Sequence, residues 1–347
     1  MINITAPIND LSYGIVSKNI ITQYAKKDIV CLKPIGLINR YIDCEYIKYV
    51  ENYYKYFDVK SPSLRIFHEF DLMEHQGKGL RIGFPIFEKD QFNQIEQFNI
   101  KHQDLVIVCS EWAKNIVKTI NANVEVVCLG VDEDFKPEPR IYNKDETKVI
   151  FYSCGKIEER KGHNYLHKVF AKAFPNENVE LWMFCHNVFL SDSEHTSFKN
   201  EYRLTLGNRV KFFPRLVKHD LINWINQTDC GIFLSKAEGF NLCLLESMAC
   251  GKDVIATYYS GHTEYLPKEN AILPVSFCEA NDGKWFHGGF NWINIESCED
   301  QIIEQLHRVY KLKLENRNIN MNNIEIASKL TWERSMEQLH GTVSKYS

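Results

Sequence analysis

The chain has 347 residues, 44% of them hydrophobic and 25% charged, enough for two domains that each bury a core. Its 41 basic and 45 acidic residues leave a formal charge of −4, which gives no general signal for nucleic acid or an anionic surface. No apolar run reaches the length of a membrane span, although peripheral membrane contact is left open.

The first half alternates strand-like and helix-like segments. Ile2–Ile8 reads as a strand, followed by a turn at Ser12–Gly14 and a helix from about Ile15 to Lys26. Further strands are expected in DIVCLKP, SLRIFHEF, LRIGFPIFE, DLVIVCS and VEVVCLG. Ser110 is placed to cap the helix that follows Leu105–Cys109. The segment Gly130–Thr147 is polar, holds two prolines and has the composition of a linker. A second alternation begins at Lys148–Gly155 and runs through a helix near Asn164–Phe174, strands VELWMFC and RVKFFPR, and a helix at Leu221–Gln227. Such alternation predicts parallel, doubly wound sheets. The closing segment Thr331–Tyr346 has an amphipathic helical pattern.

Lys236–Gly251, KAEGFNLCLLESMACG, carries the most chemical information. A buried-strand pattern, GIFLS, precedes it and another, DVIAT, follows, so it reads as strand, tight turn, helix and strand. Glu238 then stands at the carboxyl end of a strand, and Glu246 lies in the helix with seven residues between the two. Open parallel sheets bind ligands beyond the carboxyl ends of their strands. A helix start near Asn241–Cys243 offers unpaired N–H groups to an anion, while carboxylates accept bonds from hydroxyls. The combination suits a ligand with both phosphate and hydroxyls, as a nucleotide sugar has.

A second motif, GKIEERKGHNYL, brings Lys156, Arg160 and Lys161 to the loop after a strand. Fixed cations there can stabilise the charge that develops on a departing nucleoside diphosphate.

These two motifs resemble those of the retaining glycosyltransferases of family four, the group 1 glycosyltransferases. The acid pair follows the E-G-x-G/N-L-x-x-x-E-A-M-A-C-G-x-P-V-I pattern, with Ser247 for the alanine and Asp253 for the proline. Lys156 and Lys161 match the G-R-x-x-x-x-K-G positions, with lysine at the arginine. The resemblance implies an α/β GT-B fold, two Rossmann-like doubly wound domains facing a central cleft. It implies residues 1–140 as the acceptor-side domain, 141–330 as the nucleotide-sugar-binding domain, and 331–347 as a helix returning to the first. It implies a retaining transferase that moves a sugar from a UDP- or GDP-sugar, used as substrate with no further cofactor, to a hydroxyl acceptor. That acceptor could be a glycan, a lipid-linked sugar, a protein, a modified nucleobase or a metabolite. Two rivals are a nucleotide-sugar epimerase on the same fold and a catalytically silent nucleotide-sugar-binding module.

Residue by residue, the resemblance implies that Lys156 and Lys161 bind donor phosphates. It places Glu238 against the donor sugar, Glu246 against the ribose, and the backbone of Gly239, Phe240, Asn241 and Leu242 at the phosphates. Gly14 lies in a weaker match to a loop that approaches those phosphates. His68, at a strand's carboxyl edge, and Glu88, ending the GFPIFE segment, are acceptor-side candidates. SGHTEYL and ANDGKWFHGGFNW match one branch of the family. Asp132-Glu133-Asp134 spells D-x-D but belongs to the linker, and His68, Glu69, Glu74 and His75 lack a zinc spacing, so no metal is expected. Eleven cysteines without paired spacing, and an N-terminus lacking signal-peptide regions, lead to the expectation of a cytoplasmic protein.

Overall fold

The computed structural model describes residues 1–39, 41–141 and 147–346. They form two compact units, Met1–Gly130 with Leu330–Ser347, and Val131–Lys329.

The first unit begins with β1 (Ile2–Pro7), α1 (Ser12–Tyr24), β2 (Val30–Ile35), α2 (Ile47–Tyr56) and β3 (Ser63–Ile66). It continues with β4 (Arg81–Phe84), α3 (Gln94–Lys101), β5 (Leu105–Val108), α4 (Glu111–Val117) and β6 (Val124–Val126). The strands form one parallel sheet in the order β2-β1-β3-β4-β5-β6. β1 is buried along its whole length, as strands covered on both faces must be. Ser110 accepts a bond from the Ala113 amide at 3.2 Å and starts α4. Leu72, Phe87, Phe92, Ile100, Val106 and Val108 fill one core of this unit.

The second unit runs β7 (Val149–Gly155), α5 (His163–Ala173), β8 (Val179–Cys185), α6 (Asp192–Leu206), β9 (Val210–Phe212) and α7 (Lys218–Asn226). It goes on through β10 (Cys230–Phe233), α8 (Leu242–Ala249) and β11 (Asp253–Ala256). The sheet is parallel, in the order β11-β10-β7-β8-β9. An antiparallel hairpin of β12 (Phe277–Asn281) and β13 (His287–Ile293) follows, then α9 (Glu299–Glu315) and α10 (Met321–Ser328). Phe151, Phe170, Phe174, Met183, Ile302 and Leu306 are central to its core. The last helix, α11 (Trp332–Tyr346), belongs to the first unit, where Lys345 pairs with Glu125 on β6.

The division falls at Gly130, ten residues before the boundary expected at 140. The expected linker is partly structured on the second unit. The Asn226 side chain at the end of α7 donates to the Lys136 carbonyl and accepts from the Glu138 amide, and Gln227 accepts from Ile141. Residues 142–146 of that linker lie outside the described residues. Asp132 and Asp134 both pair with Lys218, at 3.3 and 2.6 Å. Among the described residues, no helix is long and apolar enough to cross a membrane. All eleven cysteines are free thiols.

Candidate active site

Two loops of the second unit, one after β7 and one after β10, meet tightly. Gly162 makes their approach possible. It has φ +71°, and a Cβ there would stand 2.1 Å from the Leu234 carbonyl oxygen, a contact no side chain tolerates. The Lys236 amide donates to the Arg160 carbonyl at 2.7 Å and ties the two loops. Below them, the β12–β13 hairpin buries Trp292 with Ala237, and the Lys236 ammonium sits 4.7 Å from the Trp292 ring centre.

Glu238 is the centre of the arrangement and is 3% exposed. Its Oε1 accepts from Lys161 Nζ at 2.5 Å and Ser235 Oγ at 2.6 Å; its Oε2 accepts from Arg160 Nη1 at 2.9 Å. Burial alone would raise its pKa, but Lys161 and Arg160 outweigh it and hold the carboxyl far below the usual range. Lys161 responds in kind: burial disfavours its charge, Glu238 restores it, and the pKa ends above the ordinary value. Arg160 also reaches the Ala237 carbonyl at 2.8 Å and Glu158 at 3.0 Å. The result is a buried anion locked between two cations, with the Glu238 amide donating to Ser260 Oγ at 2.6 Å.

Lys156 takes a different course. Its ammonium is 3.8 Å from Glu158 and 5.4 Å from the exposed Phe189 ring centre, so it lies on the rim. His163, directly after Gly162, is buried; burial first and Lys161 second lower its pKa to about 3. Its Nε2 lies 3.3 Å from Ser153 Oγ.

Gly239, Phe240, Asn241 and Leu242 carry the chain from Glu238 into α8. Phe240 is buried against Tyr265, whose hydroxyl donates to the carbonyls of Phe240 and Asn241. The N-cap residue Asn241 makes no side-chain cap bond to α8. Cys243, in the first turn, lies near Lys161, and both crowd the Cβ position of Gly155, at 4.0 Å for the thiol and 3.8 Å for the ammonium. A hydrogen bond with Cys154 lowers the Cys243 pKa and raises that of Cys154. Glu246 lies one turn on and is half-buried. Burial, with Cys243 and Asp132 nearby, raises its carboxyl pKa well above the ordinary value.

The first unit holds the other three candidates, and they gather around Tyr13. Its hydroxyl donates to the Ile86 carbonyl at 2.7 Å and accepts from the Ile86 amide at 3.1 Å. His68 lies 4.7 Å from the Tyr13 ring and stacks on Phe70 at 5.1 Å. Burial raises the Tyr13 pKa most, with Glu69 and then Glu88 adding to it. Gly14 lies in the first turn of α1, where a Cβ would meet the Asn9 carbonyl at 2.2 Å, so close packing alone requires glycine there.

Solved structures show the same architecture. The chain superposes over 99% of its length on sucrose-phosphate synthase from Thermosynechococcus elongatus, covering 98% of it, with a TM-score of 0.71 and 15% identity. It does so equally on Anabaena HepE in complex with UDP, with 99% coverage of each chain, a TM-score of 0.70 and 15% identity. Residues 134–280 match the family described as "Glycosyl transferases group 1". Over 260 residues, 72% of this chain, it is 25% identical to D-inositol 3-phosphate glycosyltransferase of Mycolicibacterium smegmatis, covering 55% of that protein. The chain spans about half the length of the curated relatives it matches. The fold is thus that of the GT-B glycosyltransferases, two Rossmann-like parallel-sheet domains. The matched segment contains Glu238, Glu246, Lys156 and Lys161.

Proposed function

We propose that this protein is a glycosyltransferase that moves a sugar from a nucleotide sugar to a hydroxyl acceptor, with retention at the anomeric carbon and without a metal. The observation that carries the reading is the buried Glu238 carboxylate, locked by Lys161 and Arg160 beside the start of α8. The group 1 match supports it, as do the solved complexes of Anabaena HepE with UDP and with UDP-glucose.

In this reading the diphosphate of a UDP- or GDP-sugar lies at the first turn of α8, within reach of Lys161 and Lys156. The bond from the anomeric carbon to the diphosphate oxygen breaks, and its electron pair stays on that oxygen. Lys161 is already charged and buried, so no reorganisation is needed when the oxygen becomes negative. The acceptor oxygen bonds to the anomeric carbon on the face the diphosphate leaves, and its proton passes to a donor phosphate oxygen. A nucleophilic carboxylate is not required. Glu238 suits that role poorly in any case, since both oxygens are held by cations. It instead orients hydroxyls of the donor sugar, Glu246 accepts from the ribose, and His68 and Glu88 serve the acceptor side.

The test is turnover of a panel of UDP- and GDP-sugars with glycan, lipid-linked and simple hydroxyl acceptors, with the anomeric configuration of the product read by NMR. Retained configuration, undiminished by chelator, is the expected result. An inverted product refutes retention, loss of activity in chelator refutes metal independence, and epimerised donor without any acceptor favours an epimerase.

A further inference from the structure

Asn241 stands at the N-cap of α8 but does not behave as a cap. Asparagine there ordinarily takes extended dihedrals and accepts a bond from an amide of the first turn. Asn241 has φ 66° and ψ 67°, left-handed, and its side chain makes no cap bond. The turn is fixed from outside, by the Tyr265 hydroxyl bonded to the carbonyls of Phe240 and Asn241 at 2.9 and 2.7 Å. Nothing in that turn needs the asparagine side chain, because glycine adopts the same conformation at lower cost.

The side chain is nevertheless enclosed. Asn241 is 5% exposed, and neither Oδ1 nor Nδ2 has a hydrogen-bond partner among the described residues. Buried polar groups are rarely left unmet, and an exception marks a place where something else binds. The two open ends specify what that is. Nδ2 requires an acceptor and Oδ1 requires a donor. A phosphate oxygen serves only Nδ2 and leaves Oδ1 unmet. Hydroxyl groups both donate and accept, so neighbouring hydroxyls on one sugar ring serve both ends. The amide also lies on the same loop as Glu238, three residues further along, at the start of the helix proposed to face the diphosphate.

We infer that the Asn241 side-chain amide reads hydroxyl groups of the donor sugar and is a specificity-determining residue of this site. The inference rests on the nucleotide-sugar reading above and adds a role separate from that of the backbone amides beside it. A donor whose hydroxyl points the other way leaves both ends of the amide unmet, which is the situation in which polar sites discriminate most strongly.

Two variants test it. Asn241→Gly keeps the left-handed turn and removes both unmet atoms; Asn241→Asp keeps size and acceptors and lacks the donor. Binding of UDP, GDP, UDP-glucose, UDP-galactose, UDP-N-acetylglucosamine and GDP-mannose is measured by calorimetry for both variants and the parent, together with melting temperature. Asn241→Gly should melt no lower than the parent, since it loses an unsatisfied buried group. Its affinity for the bare diphosphate the parent prefers should stay within about twofold, while affinity for the matching nucleotide sugar falls about tenfold or more. The ratio between best and second-best sugar should shrink in both variants. Unchanged sugar affinity and ratio would mean that the amide holds only the turn or a water molecule. An equal loss for the bare diphosphate would mean that it reads phosphate. Should Asn241→Gly fail to fold, Asn241→Asp supplies the same comparison. A parent that binds none of the six probes refutes the nucleotide-sugar reading itself, whereas a binding parent with indifferent variants refutes this inference alone.

Discussion

Replacing Glu238 by alanine should produce two effects that a surface loop acid could not. The carboxylate accepts from Lys161, Arg160 and Ser235, and the side chains of Glu238, Arg160 and Lys161 are 4%, 8% and 12% exposed. Removing one partner of a buried ion pair typically costs about 3–5 kcal/mol, because the remaining charge is left unmet. At about 2–4 °C per kcal/mol for a unit of this size, melting should fall by roughly 6–20 °C. The sign with pH is fixed by the direction of the shift. The folded carboxyl is held below its ordinary value of 4.5, so its contribution is complete above that pH and fades only as pH falls toward the folded value. A melt at pH 7 therefore reads it in full. The second effect follows from the first. With Glu238 gone, Lys161 lacks its carboxylate, and a nucleoside diphosphate can supply the missing anion. UDP or GDP at saturation should then raise the melting temperature of Glu238→Ala by more than it raises the parent's, while sugar transfer is lost. Calorimetry across a UDP and GDP titration checks both. If Glu238→Ala melts with the parent and transfers sugar at the parent rate, the carboxylate neither anchors the loops nor serves the reaction.

Other expectations follow from neighbouring groups. Lys161→Ala leaves Glu238 bonded to Arg160 and Ser235, so it should melt higher than Glu238→Ala, yet turnover should fall about a hundred- to a thousandfold in a steady-state assay. His163 has its folded pKa lowered from 6.5 to about 3, so the unfolded chain takes its proton first. Stability should decline by about 1.4 kcal/mol per pH unit between pH 6.5 and 3 on its account and be unaffected above that range, and denaturant melts of His163→Gln should show a shallower acid slope. Glu246 has a raised pKa, and accepting from ribose hydroxyls favours its charged form, so nucleotide binding should release a proton and strengthen as pH rises. Calorimetry in buffers of different ionisation enthalpy should detect that proton with the parent and lose it with Glu246→Gln.

What the sequence made legible and what it concealed divide along a physical line. The parallel sheets were readable because strands buried on both faces are near-continuous apolar runs, as in Val149–Cys154, interrupted by Ser153, and Val179–Cys185, interrupted by Glu180. The place of Glu238 was readable because a strand, a turn and a helix follow one another within a few residues. Its partners were not. Lys156, Arg160 and Lys161 are equivalent cations in a charged run, and the sequence does not say which of them face inward; the left-handed turn at Gly162, against the Leu234 carbonyl, is one of the long-range contacts that shape this loop. Arg160 and Lys161 turn to Glu238, while Lys156 goes to the rim beside Phe189. The linker segment shows the same limit: Pro137 and Pro139 signal a break, but the side-chain amides of Asn226 and Gln227 that hold this segment lie far away in sequence. The hairpin of β12 and β13 was hidden by its glycines and by a register shift between Glu279 and Asn281, which spoils the alternation of a strand. Yet that hairpin buries Trp292 beneath the loop bearing Glu238. Local patterns thus announce where an acid stands, and long-range contacts decide its charge and what it can reach. The same limit applies to Asn241, whose sequence context explains a left-handed turn and gives no hint that its amide is enclosed with both ends open.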